Sequence, residues 1–219
     1  MSELEQKAIA YLNEHKQAFL ELYTRGIEAS EDKYVIFTAG MSGVGKTETS
    51  ETLAKEDKTL LHIDTDRIRE FFQPVGYDGQ NSDAFQKVAS RGFNELFNYA
   101  IKNGYSMILD TNLASTGQAK QNIERLLKRG YNIEITYLYN YPATCYEYAV
   151  SREVVTHRKV PLDVFERSNS NSYKTVLEIK HLYKEKVILH FLDKRDDSVY
   201  TDIDETFLME IIGADFETE

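Results

Sequence analysis

A phosphate-binding motif occupies residues 40–47, which read Gly-Met-Ser-Gly-Val-Gly-Lys-Thr. This is the full pattern G-x-x-x-x-G-K-[ST], in which backbone N–H groups surround phosphate oxygens at the start of a helix. We expect Lys46 to reach the β- and γ-phosphates and Thr47 to bind Mg²⁺. The alternative is a chance match in a glycine-rich turn, which the apolar run before the motif and the helical pattern after it disfavour. The motif predicts ATP and Mg²⁺ as cofactors, with nucleotide contacts from Gly40, Met41, Ser42, Gly43, Val44, Gly45, Lys46, Thr47 and Glu48.

Two aspartates lie where the second apolar run along the chain, TLLHID, meets a helical segment: Asp64 ends the run, and Asp66 begins the helical segment. Phosphoryl transfer to an alcohol needs a group that orients the hydroxyl and accepts its proton. Asp66 is the candidate for that base, and Arg69, one helical turn later, is the candidate contact to the phosphoryl group or the substrate. Asp64 fits a helix cap as well as it fits a functional acid. A phosphatase with a D-x-D nucleophile pair is disfavoured because a complete phosphate loop precedes these residues.

A third acid, Asp110, closes the apolar run SMILD. Behind a phosphate loop, an apolar strand that ends in an acid has the form of a Walker B strand, whose carboxylate positions Mg²⁺ or its water. The predicted metal contacts are therefore Thr47 and Asp110. Thr111 and Asn112 extend into the next loop, where they either contact an acceptor or form an Asx-type turn. The predicted substrate contacts are Asp66, Arg69, Asp110, Thr111 and Asn112.

Two arginines, Arg152 and Arg158, belong to the polar segment SREVVTHRKVP. Arginines on a segment that covers a triphosphate stabilise the charge of the transferring phosphoryl group, as an arginine finger supplied in cis does. Ordinary surface charge is the alternative for each of them. Together with Lys46 and Asp66, the two arginines complete the predicted catalytic set.

The composition fits one globular domain and argues against several other classes of protein. Hydrophobic residues make up 42% and charged residues 28% of the 219 residues, which is enough to form a core. The formal net charge of −10 disfavours extended nucleic-acid binding, which depends on clustered Lys and Arg. A single cysteine, Cys145, allows neither an internal disulfide nor a thiolate metal cage. The charged N-terminus and the lack of a long apolar stretch predict a cytoplasmic protein with no membrane span.

Apolar runs of strand length alternate with segments of helical periodicity along the chain. The predicted strands cover residues 34–38, 59–64, 106–110, 132–140 and 187–193. The longest predicted helices cover residues 85–102, 142–155 and 161–186. This alternation predicts an α/β fold with a doubly wound, mostly parallel sheet flanked by helices, the fold of P-loop kinases, with ligands at the carboxyl ends of the strands. We predict a single domain over residues 1–219, with a helical extension at 1–30 and an acidic tail at 210–219.

With these motifs, the chain resembles the zeta toxin family of bacterial P-loop kinases over residues 12–193. The resemblance rests on the stretches YVIFTAGMSGVGKTE, HIDTDRIREFF, NSDAFQKVASRGFNELFNYAIKNGYSMILDTNL and HRKVPLDVF. It implies ATP-dependent phosphorylation of the 3′-hydroxyl of the amino sugar in UDP-N-acetylglucosamine, and a partner antitoxin whose helices obstruct the nucleotide site. It also implies that Lys46 is the phosphate-loop lysine and Asp66 the base. By the same resemblance, Asp110 is an acid of the sugar pocket, and Arg152 and Arg158 lie around the γ-phosphate.

The loop after Asp110 departs from the family pattern. Family members commonly carry an acid-Gly-Thr sequence there, followed in some by an arginine, whereas this chain has Asp-Thr-Asn-Leu-Ala at 110–114. Asp-Thr-Asn-Leu, with Val-Pro-Leu-Asp-Val later in the chain, also resembles the kinase domain of phage polynucleotide 5′-kinases. A polynucleotide or nucleoside 5′-hydroxyl kinase is therefore the alternative function. An ATP-binding switch without a dedicated acceptor is an alternative of another class, which the combination of Asp66 with three arginines disfavours.

The N-terminal segment, residues 2–24, has apolar residues on one face of a predicted helix, among them Ala8, Leu12 and Phe19. Two interpretations fit this amphipathic pattern. The apolar face packs on the sheet of the same chain, or it binds a helix of an antitoxin.

Overall fold

A single mixed sheet organises the part of the chain that the structure, a computed structural model, describes, which is residues 2–156 and 160–216. Its strands are β1 (Tyr34–Ala39), β2 (Leu61–Asp64), β3 (Met107–Asp110), β4 (Asn132–Tyr139), β5 (Ile188–Asp193) and β6 (Ser198–Tyr200). They lie in the order β2-β3-β1-β4-β5-β6. Strands β1 to β5 are parallel, and β6 is antiparallel to β5. The predicted doubly wound, mostly parallel fold is confirmed. The prediction that β5 is the last strand was wrong, because β6 has three residues and gives no alternation to detect.

The central strand β1 is apolar along most of its length because both of its faces are covered. Val35 and Phe37 belong to the large core, while Ile36 packs with Leu60 and Ile108 in a smaller cluster. In a parallel sheet covered on both faces, strands read as continuous apolar runs. The pairing register sets Thr38 of β1 and Asp64 of β2 opposite Asp110 of β3. The carboxyl ends of these three strands are therefore level with one another.

The helices cover both faces of this sheet. Along the described chain they are α1 (Glu3–Glu14), α2 (Lys16–Thr24), α3 (Lys46–Glu56), α4 (Thr65–Glu70), α5 (Ser82–Asn103), α6 (Thr116–Leu127), α7 (Pro142–Thr156), α8 (Leu162–Tyr183) and α9 (Glu205–Ile212). Helix α3 packs over the small cluster, since Leu53 and Ala54 contact it. Apolar residues of α1, α2, α5, α6, α8 and α9 belong to the large core. Across the described residues, none of these helices is both long enough and apolar enough to cross a bilayer.

The N-terminal segment forms two helices instead of the predicted single one. His15 leaves the helical region, with φ −104° and ψ 22°, and its ring lies 3.0 Å from the Tyr11 carbonyl oxygen. Ala8, Leu12 and Phe19 are nevertheless fully or almost fully buried, and they pack in the same core as α5. The apolar face of this segment is thus covered by its own chain.

Residues 205–216 form a helix and a short turn near the end of the described chain. Helix α9 is capped by Asp204, whose side chain accepts a hydrogen bond from the backbone N–H of Phe207, and its Ile212 is buried. Beyond the helix, the ring of Phe216 stacks on that of Tyr173 at 4.0 Å between centroids. Residues 210–216 of the acidic tail predicted at 210–219 thus form the end of α9 and a short 3-10 turn, and the apolar Ile212 and Phe216 pack against the core.

Candidate active site

The phosphate loop lies between β1 and α3 and depends on its glycines. Gly40 and Gly43 have φ values of 131° and 80°, which side-chain-bearing residues rarely adopt. A Cβ on Gly40 would lie 2.4 Å from the Leu138 carbonyl oxygen, and one on Gly43 would lie 2.1 Å from that of Cys145. The loop can therefore approach β4 and α7 this closely only with glycine at both positions.

Lys46 is the first residue of α3, and its side chain folds back over the loop. The residue is buried, and its Nζ donates a hydrogen bond to the Met41 carbonyl oxygen at 2.6 Å. The ammonium group is thus held inside the loop, at the N-terminal end of a helix. Both the charge and the helix end favour a bound anion.

Thr47 and Asp110 are in direct contact. The Thr47 hydroxyl donates to Asp110 Oδ2 at 2.9 Å, and the Thr38 hydroxyl lies 3.3 Å from Asp110 Oδ1. A hydroxyl and a carboxylate are hard oxygen ligands of the kind that Mg²⁺ prefers. The described residues contain no group of three or more His, Cys, Asp and Glu side chains that could hold a metal ion. The two residues fit a Mg²⁺ ion that takes its other ligands from phosphates and water.

Asp64 caps helix α4. Its Oδ1 accepts a hydrogen bond from the backbone N–H of Asp66 at 2.8 Å, and the residue is 6% exposed. Burial, together with the negative charges of Asp66 and Asp110, raises the pKa of the Asp64 carboxyl to about 7. The capping alternative raised for Asp64 is thus seen in the structure.

Asp66 faces the open space beside the phosphate loop. Its side chain is 43% exposed, and one carboxylate oxygen forms an ion pair with Arg69. Arg69 itself is only 1% exposed, and its guanidinium also donates to the side-chain oxygen of Gln86. The structure therefore places the Arg69 guanidinium behind Asp66 and leaves the Asp66 carboxylate accessible.

A cavity of about 680 Å³ joins the phosphate loop to these acids. The predicted site residues that line it are Ser42, Gly43, Val44, Gly45, Lys46, Thr47, Glu48, Asp66, Asp110, Thr111, Asn112 and Arg152. Lining residues beyond those predictions are Asp64, Thr65, Gln86, Asn140, Tyr148, Lys194 and Asp197. Arg158 lies outside the described residues. Most of the predicted set thus meets in one cavity, although its members are up to 110 residues apart in the chain.

A side pocket of about 350 Å³ adjoins the cavity and shares Thr65, Asp110, Thr111 and Asn112 with it. Thr111 donates to the Thr38 carbonyl oxygen at 3.1 Å, and Leu113, two residues later, has a φ of 48°. Hydroxyl and carboxamide side chains of α5, of α6 and of the residue just before α6 supply much of the remaining lining: Ser90, Asn94, Ser115, Gln118 and Asn122. These polar groups can bind a ligand with several hydrogen-bonding groups.

Sequence analysis could not identify the lining residues from α5 and α6. They belong to long amphipathic helices, where polar residues at helical spacing ordinarily face solvent. Only the packing of α5 on β2, and the start of α6 just after the loop that follows β3, bring some of them near the acids.

The family comparison agrees with this geometry. The family model described as Zeta toxin matches residues 20–206. No curated protein matches the chain significantly.

Solved structures with the same fold include proteins of distant sequence. A structure from the PezAT chromosomal toxin-antitoxin system of Streptococcus pneumoniae is 19% identical with a TM-score of 0.71, over 86% of this chain and 81% of that one. A structure of AvrRxo1-ORF1:-ORF2 with ATP is 10% identical with a TM-score of 0.68, over 94% and 70% of the two chains. A candidate kinase from Chloroflexus aurantiacus is 14% identical with a TM-score of 0.56, over 84% and 98%. At these identities the likeness establishes the fold.

Proposed function

Because the chain belongs to the zeta toxin family, we propose that it transfers the γ-phosphate of MgATP to a hydroxyl of UDP-N-acetylglucosamine or a related sugar nucleotide. The observation that carries this proposal is the accessible carboxylate of Asp66 in the same cavity as Lys46 and Thr47. A carboxylate beside a bound triphosphate can orient an alcohol and accept its proton. The proposed activity belongs in the cytoplasm, where a buried cysteine such as Cys145 stays reduced.

The strand order supports one orientation of the substrates. The phosphate loop follows the central strand β1, with Asp64, Asp66 and Asp110 on the side of β2 and β3. Asn140 and Lys194, on the other side, follow β4 and β5. With the γ-phosphate at Lys46, the acceptor occupies the side of the acids and the nucleoside of ATP extends toward β4 and β5.

The proposed transfer uses the chain's own groups in defined roles. The acceptor hydroxyl donates a hydrogen bond to the Asp66 carboxylate, which takes the proton as the oxygen attacks the γ-phosphorus. The bond from that phosphorus to the β,γ-bridging oxygen breaks, and ADP leaves. Lys46 and Arg152 supply positive charge to the transferring group. Thr47 and Asp110 would hold Mg²⁺ when the nucleotide is bound, and the charge of the ion would offset that of the phosphates.

The side pocket supports a polar acceptor. Its hydroxyl and carboxamide groups can bind the hydroxyls and acetamide of an amino sugar. The loop 110–114 is the specific observation for a second candidate, a 5′-hydroxyl of a nucleoside or short oligonucleotide, because its sequence departs from the family pattern.

We also propose an antitoxin partner. The structural neighbour from a toxin-antitoxin system supports it. The apolar face of α1 and α2 is already buried, so the partner would have to bind elsewhere, and the nucleotide cavity is the surface that the family resemblance suggests.

The test is transfer of labelled γ-phosphate, in Mg²⁺, to UDP-N-acetylglucosamine and separately to a 5′-hydroxyl oligonucleotide. Lys46→Ala is the blank, and Asp66→Asn tests the base. We expect labelled sugar nucleotide from the wild type, none from the blank, and a loss of roughly 10²- to 10⁴-fold in Asp66→Asn with ATP binding retained. If only the oligonucleotide becomes labelled, the acceptor is a 5′-hydroxyl and the sugar-nucleotide proposal is wrong. ATP binding without transfer to either compound would favour a switch.

A further inference from the structure

Arg69 is a buried cation held between two oxygen acceptors. It is 1% exposed, and its two terminal nitrogens donate to different residues. Nη1 donates to Asp66 Oδ1, and Nη2 donates to Gln86 Oε1. A guanidinium removed from water needs such partners, because an uncompensated buried charge is strongly unfavourable. Both contacts therefore fix where this guanidinium lies.

The guanidinium of Arg69 connects Gln86 to Asp66, so the position of Gln86 affects the orientation of the Asp66 carboxylate. Its nitrogens are coplanar and fixed relative to one another, so holding one of them in place orients the other. Asp66 and Arg69 are one turn apart on α4, whereas Gln86 belongs to α5. The contact to Gln86 thus ties the short helix that carries Asp66 to a helix of 22 residues.

Gln86 is itself oriented. Its Nε2 lies 3.3 Å from Ser90 Oγ, and that hydroxyl donates to the Gln86 carbonyl oxygen at 2.9 Å. With the amide nitrogen turned toward Ser90, the amide oxygen faces Arg69. The side chain also lines the cavity that contains Asp66. The result is a continuous series of contacts, Ser90 to Gln86 to Arg69 to Asp66, that ends at an accessible carboxylate.

We propose that Gln86 and Arg69 are positioning residues, which hold the Asp66 carboxylate in the orientation that accepts the acceptor proton. This inference rests on the proposed function, because it assumes that Asp66 is the base. In this proposal Arg69 acts through Asp66, whereas the sequence predicts that Arg69 contacts the substrate directly. A carboxylate displaced by about 1 Å can lower the rate by the order of 10²-fold without changing how the nucleotide binds.

The test compares variants of Gln86 in the full chain, with labelled ATP and whichever acceptor the wild type labels. Gln86→Leu removes the oxygen acceptor, and Gln86→Glu keeps an oxygen at the same distance from the backbone. Gln121→Leu is the matched control, because Gln121 is an exposed glutamine on α6. We expect Gln86→Leu to lower kcat roughly 10- to 100-fold with the KM for ATP within about twofold of wild type. Gln86→Glu should recover most of kcat, and Gln121→Leu should match the wild type.

Several outcomes would overturn the inference. Wild-type kcat in Gln86→Leu would show that Asp66 does not depend on this contact. Equal losses in Gln86→Leu and Gln86→Glu would mean that the acceptor oxygen is not what matters. If thermal melting shows that Gln86→Leu is unfolded, Gln86→Ala removes the same oxygen without adding apolar surface and is judged by the same criteria. A wild type that labels no acceptor would overturn the proposed function together with this inference, whereas an active wild type with an unaffected variant would overturn this inference alone.

Discussion

Three carboxylates, those of Asp64, Asp66 and Asp110, lie at or just after the ends of β2 and β3. Their surroundings differ, and the differences suggest a different role for each. Asp64 is buried and caps a helix, with its Oδ1 accepting a hydrogen bond from the backbone N–H of Asp66. Asp110 accepts hydrogen bonds from two threonines, Thr38 and Thr47, beside the phosphate loop. Asp66 has an accessible side chain that faces the cavity. The exposure of the Asp66 side chain within this cavity supports its proposed assignment as the base.

Asp64 predicts a pH dependence of stability in the protein without nucleotide and Mg²⁺. Its folded-state pKa is raised from 3.8 to about 7, so folding favours the protonated form. Its contribution to the free energy of unfolding is fully present below pH 3.8 and is lost as the pH rises toward 7. The loss is at most about 1.4 kcal/mol per pH unit. Asp64→Asn stays neutral at every pH and removes this dependence.

Urea unfolding between pH 5.5 and 8 checks this prediction. The stability of the wild type minus that of Asp64→Asn should fall between pH 5.5 and about 7 and then level off. Asparagine is as good a helix cap as aspartate, whereas Asp64→Ala, the control, should be about 1 kcal/mol less stable than Asp64→Asn at every pH. Parallel curves for the wild type and Asp64→Asn would contradict the assigned pKa.

At the scale of elements, the sequence predicts strands and loops well where one local pattern specifies them. The phosphate loop and the runs that form β1 to β5 are continuous patterns, so a short window of residues contains them. No such pattern marks the end of α8. The sequence predicts that this helix continues to residue 186, but it ends at Tyr183 because Lys184 adopts a φ of 47°. Gln86 and Tyr148 reach the cavity only through the packing of α5 and α7. Their roles depend on tertiary structure, which spacing along the chain does not encode.

The position of Tyr148 on helix α7 leads to a prediction about the affinity for ATP. Tyr148 is 59% exposed, lines the cavity, and lies one helical turn before Arg152, which lines it too. On the side of the cavity proposed for the nucleoside, an accessible aromatic ring is suited to stack on a base. We expect Tyr148→Ala to raise the KM for ATP by roughly 10-fold with kcat little changed, since stacking contributes about 1–3 kcal/mol per base.

The control for this prediction is Val150→Ala on the same helix. Val150 is 45% exposed and lines a different cleft, with Gln80, Glu153 and Val154, so its removal should leave the KM for ATP unchanged. Steady-state kinetics at varied ATP concentration would measure both variants. An unchanged KM in Tyr148→Ala would place the base away from α7.

At the scale of the whole molecule, the strand order places the two ends of the cavity on opposite sides of the phosphate loop. The acids follow β2 and β3 on one side of β1, and the exposed part of α7 and the β5–β6 turn lie on the other. A ligand that spans the loop contacts elements from both halves of the sheet. Its binding should therefore stabilise the fold as a unit, because it favours the folded state over the unfolded chain.

Stabilisation by the bound nucleotide predicts that MgATP raises the melting temperature, Tm, and that this rise depends on the phosphate loop and on Mg²⁺. At a free MgATP concentration of 100 times Kd, the folded state gains about 2.7 kcal/mol. For a domain of this size, that corresponds to a rise in Tm of roughly 5–10 °C. Lys46→Ala should abolish most of the shift, because it removes the ammonium group from the loop. Chelation of Mg²⁺ should reduce it in the wild type, because Thr47 and Asp110 then have no cation to share with the phosphates. A shift of equal size in Lys46→Ala would mean that the nucleotide binds outside the phosphate loop.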